Sequence, residues 1–368
     1  MLKKLAVLCL AIQALLPSIL LSQVKPAFTG DQLKFREELT AFMGPNLNDE
    51  QKSNLGIFLA RWDSAAFSKA NMTRIIDLTS QFADKGMRPV PHFNDLLVTL
   101  NTIAEKKSGE KFLADWLSGL SVLAFNPRYP MESIDRYIRN TRIMVRDNVL
   151  SESPSIRWKV KNSKLQFVND TAFLVKINNA TLTCYSQKDS TEIYNATGTY
   201  YPDTQIFQGT KGKITWEKAG YPANEVYAEM DNYYLNTTKS SFTVDSARLT
   251  HKTYFKTPVY GKLSDQAMSY KVKERADYPR FETYEKEFRL NKIYEGVNYE
   301  GGLSIEGASL KGTGTRFKPA IITLSRNDTL YLTLKSMEFM FSKAGLVSAE
   351  TSMALYLRKD SIYHSNLS

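Results

Sequence analysis

The feature that most constrains the fold is a change in hydrophobic spacing after Ser151–Glu152–Ser153–Pro154. Before this segment apolar residues recur every three or four positions, as at Phe35 and Leu39, which predicts amphipathic helices. After it they alternate with polar residues, as at Trp158 and Val160, which predicts strands. The two patterns occupy separate parts of the chain. We therefore predict a segregated α+β protein, with an N-terminal helical bundle followed by a β-rich, antiparallel region.

Five or six helices are predicted between Asp31 and Leu150. Asn48 or Asp49, just before Gln51, suits the start of one of them. Helix breakers separate the helices at Gly44–Pro45, Gly86, Gly109 and Pro127. No period near 34 residues is present, so a plain bundle is favoured over a tetratricopeptide-type solenoid.

The β-rich region carries a faint internal repeat, and its one stretch with helical spacing is Ser264 to Arg275. If the repeat is a duplication, units over 151–260 and 261–368 stack into an elongated β-structure. Short alternating segments also match by chance, so both readings stay open. The matching segments are Ile206–Gly209 with Ser309–Gly312, Val226–Met230 with Leu330–Leu334, and Val244–Leu249 with Ala349–Ala354.

The last residues, Leu355 to His364, predict two alternating strands joined by a polar turn. Because the strand pattern continues almost to Ser368, we expect the second β-unit to be C-terminally truncated and the chain to be a fragment of a longer protein. An unpaired strand edge at that end would favour association with another chain.

Residues 1–22 read as a signal peptide. Lys3 and Lys4 precede the apolar run from Leu5 to Leu21, and cleavage is predicted between Ser22 and Gln23. The alternative is an uncleaved anchor, because the run is near the minimum of about 17 residues for spanning a bilayer. With cleavage, the helical domain covers residues 23–150 and the mature chain has no transmembrane segment. We expect an exported protein of the periplasm, outer membrane or cell surface.

Composition supports a folded, exported protein and disfavours nucleic-acid binding. The chain of 368 residues is 43% hydrophobic, enough for a sizeable core. Its net charge of +10 falls to +8 when Lys3 and Lys4 leave with the signal peptide, and the basic residues are scattered rather than clustered. Cys184 is then the one cysteine left, in an apolar stretch that predicts a small buried residue rather than a nucleophile.

No metal, cofactor or catalytic motif is present, so we expect a protein that is not an enzyme. The three histidines lack ligand spacing. Gly209 to Ile214 imitates a phosphate loop but predicts a hairpin turn, and Gly296, Gly301, Gly302, Gly312 and Gly314 are also interpreted as turn residues.

Glu282, Glu285 and Glu287 could supply a glycosidase pair, but a solvated strand face explains them better. The tyrosines of Tyr200–Tyr201 and Tyr233–Tyr234 could stack on sugars or form cross-strand pairs.

A recurring tripeptide, Asp followed by Ser or Thr and a small or aliphatic residue, resembles the O-glycosylation acceptor pattern of Bacteroidota. The alternative is a set of Asp-Ser and Asp-Thr turns between strands. The candidate acceptors are Ser64, Thr171, Ser190, Ser246, Thr329 and Ser361.

Together, the exported start, the helical first third and strand units such as Asp245 to Leu249 resemble large uncharacterised exported proteins of Bacteroidota. The region 200–368 is faintly similar to the stacked-strand modules of OstA-like lipopolysaccharide-transport proteins, which implies an open sheet stack that shields lipid or binds a partner. Our leading hypothesis is a non-enzymatic envelope or cell-surface scaffold. The alternatives are a carbohydrate-binding or carbohydrate-active protein, and lipid or glycolipid handling by an open β-stack. The expected partner is an envelope protein, a glycan or a glycolipid.

Overall fold

The computed structural model describes residues 28–105, 109–169, 173–187, 189–254, 257–267, 277–327, 329–342, 345–358 and 361–367. They fall into two compact units. The first contains the described residues up to Arg142, and the second contains most of those from Ile143 onward. Helices lie at the N-terminal side and antiparallel strands follow, so the mixed α+β class is as predicted. The predicted signal peptide, with Ser22 and Gln23, lies outside the described residues.

Six α-helices are present among the described residues. Asn48 caps the second helix: its side chain accepts a hydrogen bond from the Gln51 backbone at 2.9 Å, and the Gln51 side chain accepts one from the Asn48 backbone at 3.0 Å. This capping box is the start signal predicted from the sequence. The helices are α1 (Phe35–Met43), α2 (Asp49–Asp63), α3 (Lys69–Asp84), α4 (Asn94–Glu105), α5 (Gly109–Phe125) and α6 (Met131–Asp147).

The apolar faces of these helices are buried against one another. α2 contacts α4, and α3 contacts α5. Trp116 is fully buried; its indole N–H donates to the Thr141 hydroxyl at 3.0 Å, and its ring stacks on Tyr137. The tryptophan therefore fills the interior, as its position in an apolar stripe predicted.

The second unit contains twenty strands. They are β1 (Val149–Glu152), β2 (Ile156–Lys161), β3 (Gln166–Asn169), β4 (Phe173–Ser186), β5 (Asp189–Tyr201), β6 (Ile206–Thr215), β7 (Val226–Met230), β8 (Tyr233–Asn236), β9 (Ser241–His251), β10 (Val259–Gln266), β11 (Arg280–Thr283), β12 (Phe288–Tyr294), β13 (Val297–Glu306), β14 (Ser309–Thr313), β15 (Ala320–Arg326), β16 (Thr329–Ser336), β17 (Glu338–Ser342), β18 (Gly345–Val347), β19 (Thr351–Arg358) and β20 (Ser361–Leu367).

In the first part of this unit, one long strand is covered by two short ones. β6 pairs with β5 on one side. On its other side, its first half pairs with β8 and its second half with β7. β7 then pairs with β9, and β9 with β10. One long strand, such as β6, or two successive short strands, such as β7 and β8, thus fill the same place in the sheet. We call each such place a rung, and the point between the two short strands its corner.

In the second part, the two sides of the corner become separate sheets that share β13. Residues Gly302 to Glu306 of β13 belong to arm A, in which β11, β14, β17 and β18 lie. Residues Val297 to Gly301 belong to arm B, in which β12, β15, β16, β19 and β20 lie. Tyr299 of arm B meets Phe341 of arm A edge-on, with ring centroids 5.2 Å apart, so apolar side chains fill the space between the arms.

Several glycines that we predicted in turns lie inside strands, which corrects that prediction. Gly209 to Ile214 is the middle of β6 rather than a hairpin turn. The residue opposite Gly209 is Tyr233, whose ring occupies the place of a Cβ on the glycine. Gly301, Gly302 and Gly312 are also strand residues. At Gly209, Gly301 and Gly312, glycine is used because an aromatic side chain approaches the backbone closely; at Gly302 the nearest atom is the Thr313 hydroxyl.

Two further predictions concern the ends of elements. Ser264 to Gln266, the start of the predicted helix over 264–275, belongs to strand β10, so the helix is wrong for these residues; 268–276 lie outside the described residues. The two strands predicted at the C-terminal end are present as β19 and β20, paired with each other.

Candidate functional site

The candidate O-glycan acceptors that the structure describes differ in their exposure. Ser246 in β9 and Thr329 at the start of β16 are exposed. Ser64, just after α2, is exposed too, and its hydroxyl donates to the Arg61 carbonyl at 3.2 Å. Ser190 in β5 is half-buried. Thr171 lies outside the described residues, and Ser361 is the first residue of β20.

The aromatic and acidic candidates separate into interior and surface residues. Tyr200 and Tyr233 are buried, and Tyr200 donates to the Leu150 carbonyl at 2.7 Å, so neither can stack on a sugar. Tyr234, the next residue along β8, is 66% exposed. Glu282 and Glu287 are exposed and form ion pairs with lysines; Glu285 is also exposed.

A buried carboxyl that sequence reasoning missed lies below a small cavity of about 150 Å³. Asp265 in β10 accepts hydrogen bonds from the Thr191 hydroxyl and, at 2.8 Å, from the Gln266 backbone. Burial raises its pKa to about 6, because the charged form loses its hydration. Its position was readable: Val259, Gly261 and Leu263 point inward, and Asp265 is the next inward position.

Burial and hydrogen bonds shift the pKa values of two groups near Asp265. Burial raises the pKa of Cys184 to about 12, so its thiol stays protonated at neutral pH. Glu192 is half-buried, and although burial opposes its charge, hydrogen bonds from Lys161, Tyr194 and Thr183 keep its pKa below the ordinary value. Among the described residues, no group of three or more His, Cys, Asp or Glu side chains could hold a metal ion.

A second cavity, of about 290 Å³, is lined by aromatic residues. His251 lies between Tyr221 and Tyr254, with ring centroids 5.4 and 4.8 Å away. Burial lowers the pKa of His251 to about 4, so the imidazole is neutral at pH 7. His251 is therefore a buried, neutral residue in the wall of this cavity.

The largest of these cavities, about 980 Å³, lies at the corner of the last rungs. Its floor is a cluster of hydroxyls: Ser336 contacts Ser348 at 2.6 Å and donates to the Glu350 carbonyl at 2.6 Å. Ser348 donates to the Glu338 carbonyl at 2.8 Å, so these bonds hold two chain bends together. The cavity also has two cationic side chains and several exposed apolar ones: Arg316, Lys335, Met337, Met340 and Val347.

Next to this cavity, the apolar interior becomes progressively less covered. In arm B, a cross-strand row runs from Tyr299 through Ile322 and Leu334 to Met353. Tyr299 and Ile322 are buried, whereas Leu334 and Met353 are half-buried.

Arm A shows the same trend from Ile305 through Leu310 and Phe341 to Leu346, which is half-buried. Within the described residues, β18 pairs with β17 alone and β20 with β19 alone. The two arms therefore end in open strand edges beside an incompletely covered apolar face. We call the cavity, the half-buried rows and the two edges the terminal face.

None of the helices in the described part of the chain is long and apolar enough to cross a membrane. Comparison with family models, with curated proteins and with solved structures gave no match for this chain.

Proposed function

We propose that this is a non-enzymatic, exported protein of the envelope or cell surface, in which the second unit is a repeated β-scaffold. On this proposal, the terminal face binds a strand of another envelope protein. The observation that carries it is the loss of cover along the two inward rows, from Ile322 to Met353 in arm B and from Phe341 to Leu346 in arm A. An added strand would cover the half-buried side chains, each contributing about 1 kcal/mol, and would satisfy the edge amides and carbonyls.

Strand pairing supports a repeat of rungs. Gly209 lies opposite Tyr233, and Gly312 lies opposite Phe339, so both matched glycines face an aromatic residue. β7 pairs with β9 as β16 pairs with β19, and these strands contain the other two matched segments except for Ala349 and Glu350, which precede β19. β6 occupies in the first unit the place that β14 and β15 occupy together in the second, where the segment 314–319 separates these two strands. The same organisation favours the proposed resemblance to OstA-like stacked-strand modules and an elongated form of the repeat.

The test is to alter the terminal face without altering the core. Ile362 in β20 is 53% exposed, so Ile362→Lys should fold normally while placing a charge on the edge strand. Tyr234→Lys, on the outward side of β8, is the matched control. The protein is expressed in a Bacteroidota host and its envelope complexes are separated on native gels.

We expect a discrete complex for the native protein and for Tyr234→Lys, and at least a tenfold loss of it for Ile362→Lys. A complex that survives the Ile362 substitution unchanged would contradict the binding role of this edge. Hydrolysis of a glycan or peptide panel by the purified protein, abolished by substituting one carboxylate, would contradict the non-enzymatic role.

A second candidate is lipid or glycolipid handling, which the half-buried leucines and the cationic residues Arg316 and Lys335 favour. Lipid could not lie along the whole interior of the β-unit, because Trp158, Phe207 and Trp216 fill the interior of the first rungs and each is fully buried. Lipid would then be confined to the terminal face. Co-purification of lipid that is lost on Leu334→Lys substitution would support this candidate, and lipid-free native protein would contradict it.

A further inference from the structure

The outward surface of the β-unit carries two exposed tyrosines side by side, far along the chain from the terminal face. Gly261 of β10 is paired with Thr283 of β11, and Tyr260 and Tyr284 are the residues next to this pair along the chain. The Tyr284 backbone N–H donates to the Tyr260 carbonyl at 3.2 Å. Tyr260 is 64% exposed and Tyr284 54% exposed. Val259 and Gly261 are buried, so Tyr260 belongs to the outward face.

One of the two rings is held in place. The hydroxyl of Tyr284 donates to the carbonyl of Asp245 in β9, so the side chain reaches across β10. The carbonyl comes from an irregular stretch of β9, because the register with β10 shifts between Gly261 and Leu263. A ring fixed in this way loses little conformational entropy when a ligand stacks on it.

Charged side chains of both signs surround the two tyrosines. The Lys262 ammonium nitrogen lies 3.7 Å from an Asp245 carboxylate oxygen, and the Lys286 ammonium nitrogen lies 2.5 Å from a Glu282 carboxylate oxygen. Lys262 is also directly opposite Glu282 in the pairing of β10 with β11. Arg248, directly opposite Tyr260, is paired with Asp231 at 3.0 Å, and Glu285, next to Tyr284, is exposed. The surface therefore offers hydrogen-bond donors and acceptors close together with no excess of positive charge. A polyanion or an anionic headgroup would find no net attraction here.

These observations fit a ligand that is uncharged, rich in hydroxyls and flat on one apolar side. Sugar hydroxyls both donate to carboxylates and accept from ammonium groups, and the C–H face of a pyranose packs on an aromatic ring. We propose that Tyr260 and Tyr284, flanked by Asp245, Lys262 and Glu282, form a binding surface for a neutral glycan. The site is separate from the terminal face, so the two proposals can fail independently.

The experiment uses the purified mature protein and an array of neutral and acidic glycans. Neutral hits are then titrated by calorimetry, with the hexasaccharides of maltose, cellulose and laminarin as defined probes. Tyr260→Ala and Tyr284→Ala each remove one ring, and Tyr284→Phe keeps the ring but removes the bond to Asp245. Tyr234→Ala is the matched control, since Tyr234 is an equally exposed tyrosine on another strand. Circular dichroism confirms that each variant is folded.

We expect at least one neutral glycan to bind, with at least a tenfold loss of affinity for Tyr260→Ala and Tyr284→Ala and a smaller loss for Tyr284→Phe. Tyr234→Ala and Ile362→Lys should bind as the native protein does, and raising the salt from about 0.05 to 0.5 M should change the affinity little, because the ligand is uncharged. No neutral binder on the array, binding of acidic glycans only, or equal loss for Tyr234→Ala would each overturn the proposal.

Discussion

The ring of Tyr299, in arm B, lies directly against Gly312, in arm A. A Cβ on Gly312 would be 2.6 Å from Cε2 of this ring, far inside normal contact distance. The Tyr299 hydroxyl donates to the Gly302 carbonyl, so the ring is fixed at its far end as well. This pair joins the two arms at the point where β13 passes from one to the other.

Replacing Gly312 by alanine should therefore destabilise the β-unit, by about 1–3 kcal/mol, because the ring or the strand must move. Urea unfolding followed by tryptophan fluorescence measures the effect. Gly56→Ala is the control: it lies in α2, nothing lies within 4 Å of its Cβ position, and alanine should stabilise the helix by about 0.5–1 kcal/mol. Equal stability of Gly312→Ala and the native protein would show that the ring does not rest on this glycine.

The buried carboxyl of Asp265 should make stability fall as the pH rises from about 4 to 6. Its folded pKa of about 6 lies above the ordinary value of 3.8, so in this window the folded protein keeps a proton that the unfolded chain releases. Two pKa units correspond to about 3 kcal/mol. Asp265→Asn imitates the protonated form, and its stability relative to the native protein should rise by up to about 3 kcal/mol between pH 4 and 7. A constant difference across these pH values would contradict the raised pKa.

Burial of His251 should make the stability of the protein fall as the pH is lowered, the opposite of the effect of Asp265. Its folded pKa of about 4 lies below the ordinary 6.5, so the stability it contributes is complete above pH 6.5 and is lost as the pH falls toward 4. Chemical denaturation at pH 7 and at pH 4.5 should show a smaller acid-induced loss for His251→Gln than for the native protein. If the two lose stability equally on acidification, the histidine is not held neutral by burial.

Mass spectrometry of the protein exported by a Bacteroidota host should give a mature N-terminus at Gln23. The reason is the succession of Lys3 and Lys4, an apolar run and the small residue Ser22. Substituting Ser22 by a bulky residue such as Phe should slow processing and leave the precursor in the membrane fraction. An exported protein that begins at Met1 would favour the anchor instead.

The same sample tests the proposed O-glycan acceptors. Ser64, Ser246 and Thr329 are exposed, so we expect glycan mass at these three, and less at the half-buried Ser190. Ser246→Ala should lower the intact mass by one glycan, whereas Ser365→Ala, outside any Asp-Ser or Asp-Thr tripeptide, should change it only by the lost oxygen. An intact mass equal to that of the unmodified chain would contradict modification at all of these positions.

Local patterns predicted the element types better than the contacts between them. The alternation of Trp158 and Val160 and the capping box at Asn48 depend on near neighbours, and both were readable. The role of Gly209 was misread because its reason, the ring of Tyr233, lies on another strand. Asp265 could have been found as a polar residue at an inward position, but its partner Thr191 comes from a distant strand. The terminal face could be predicted only in part. The alternating pattern of residues 355–364 predicted an unpaired strand edge, whereas the cavity and the edge of β18 depend on which strands pair in arm A.

The register of the last strands limits what can pair with them. In arm B, Met353 lies opposite Ser365, so this position of β20 continues the row of inward positions that begins at Tyr299. A slip of one residue would exchange inward and outward side chains along the whole added segment. An interacting strand must therefore carry an apolar residue at the position aligned with Ser365 and polar residues on either side of it. Candidate strands can be sought by this alternation, without any sequence similarity to guide the search.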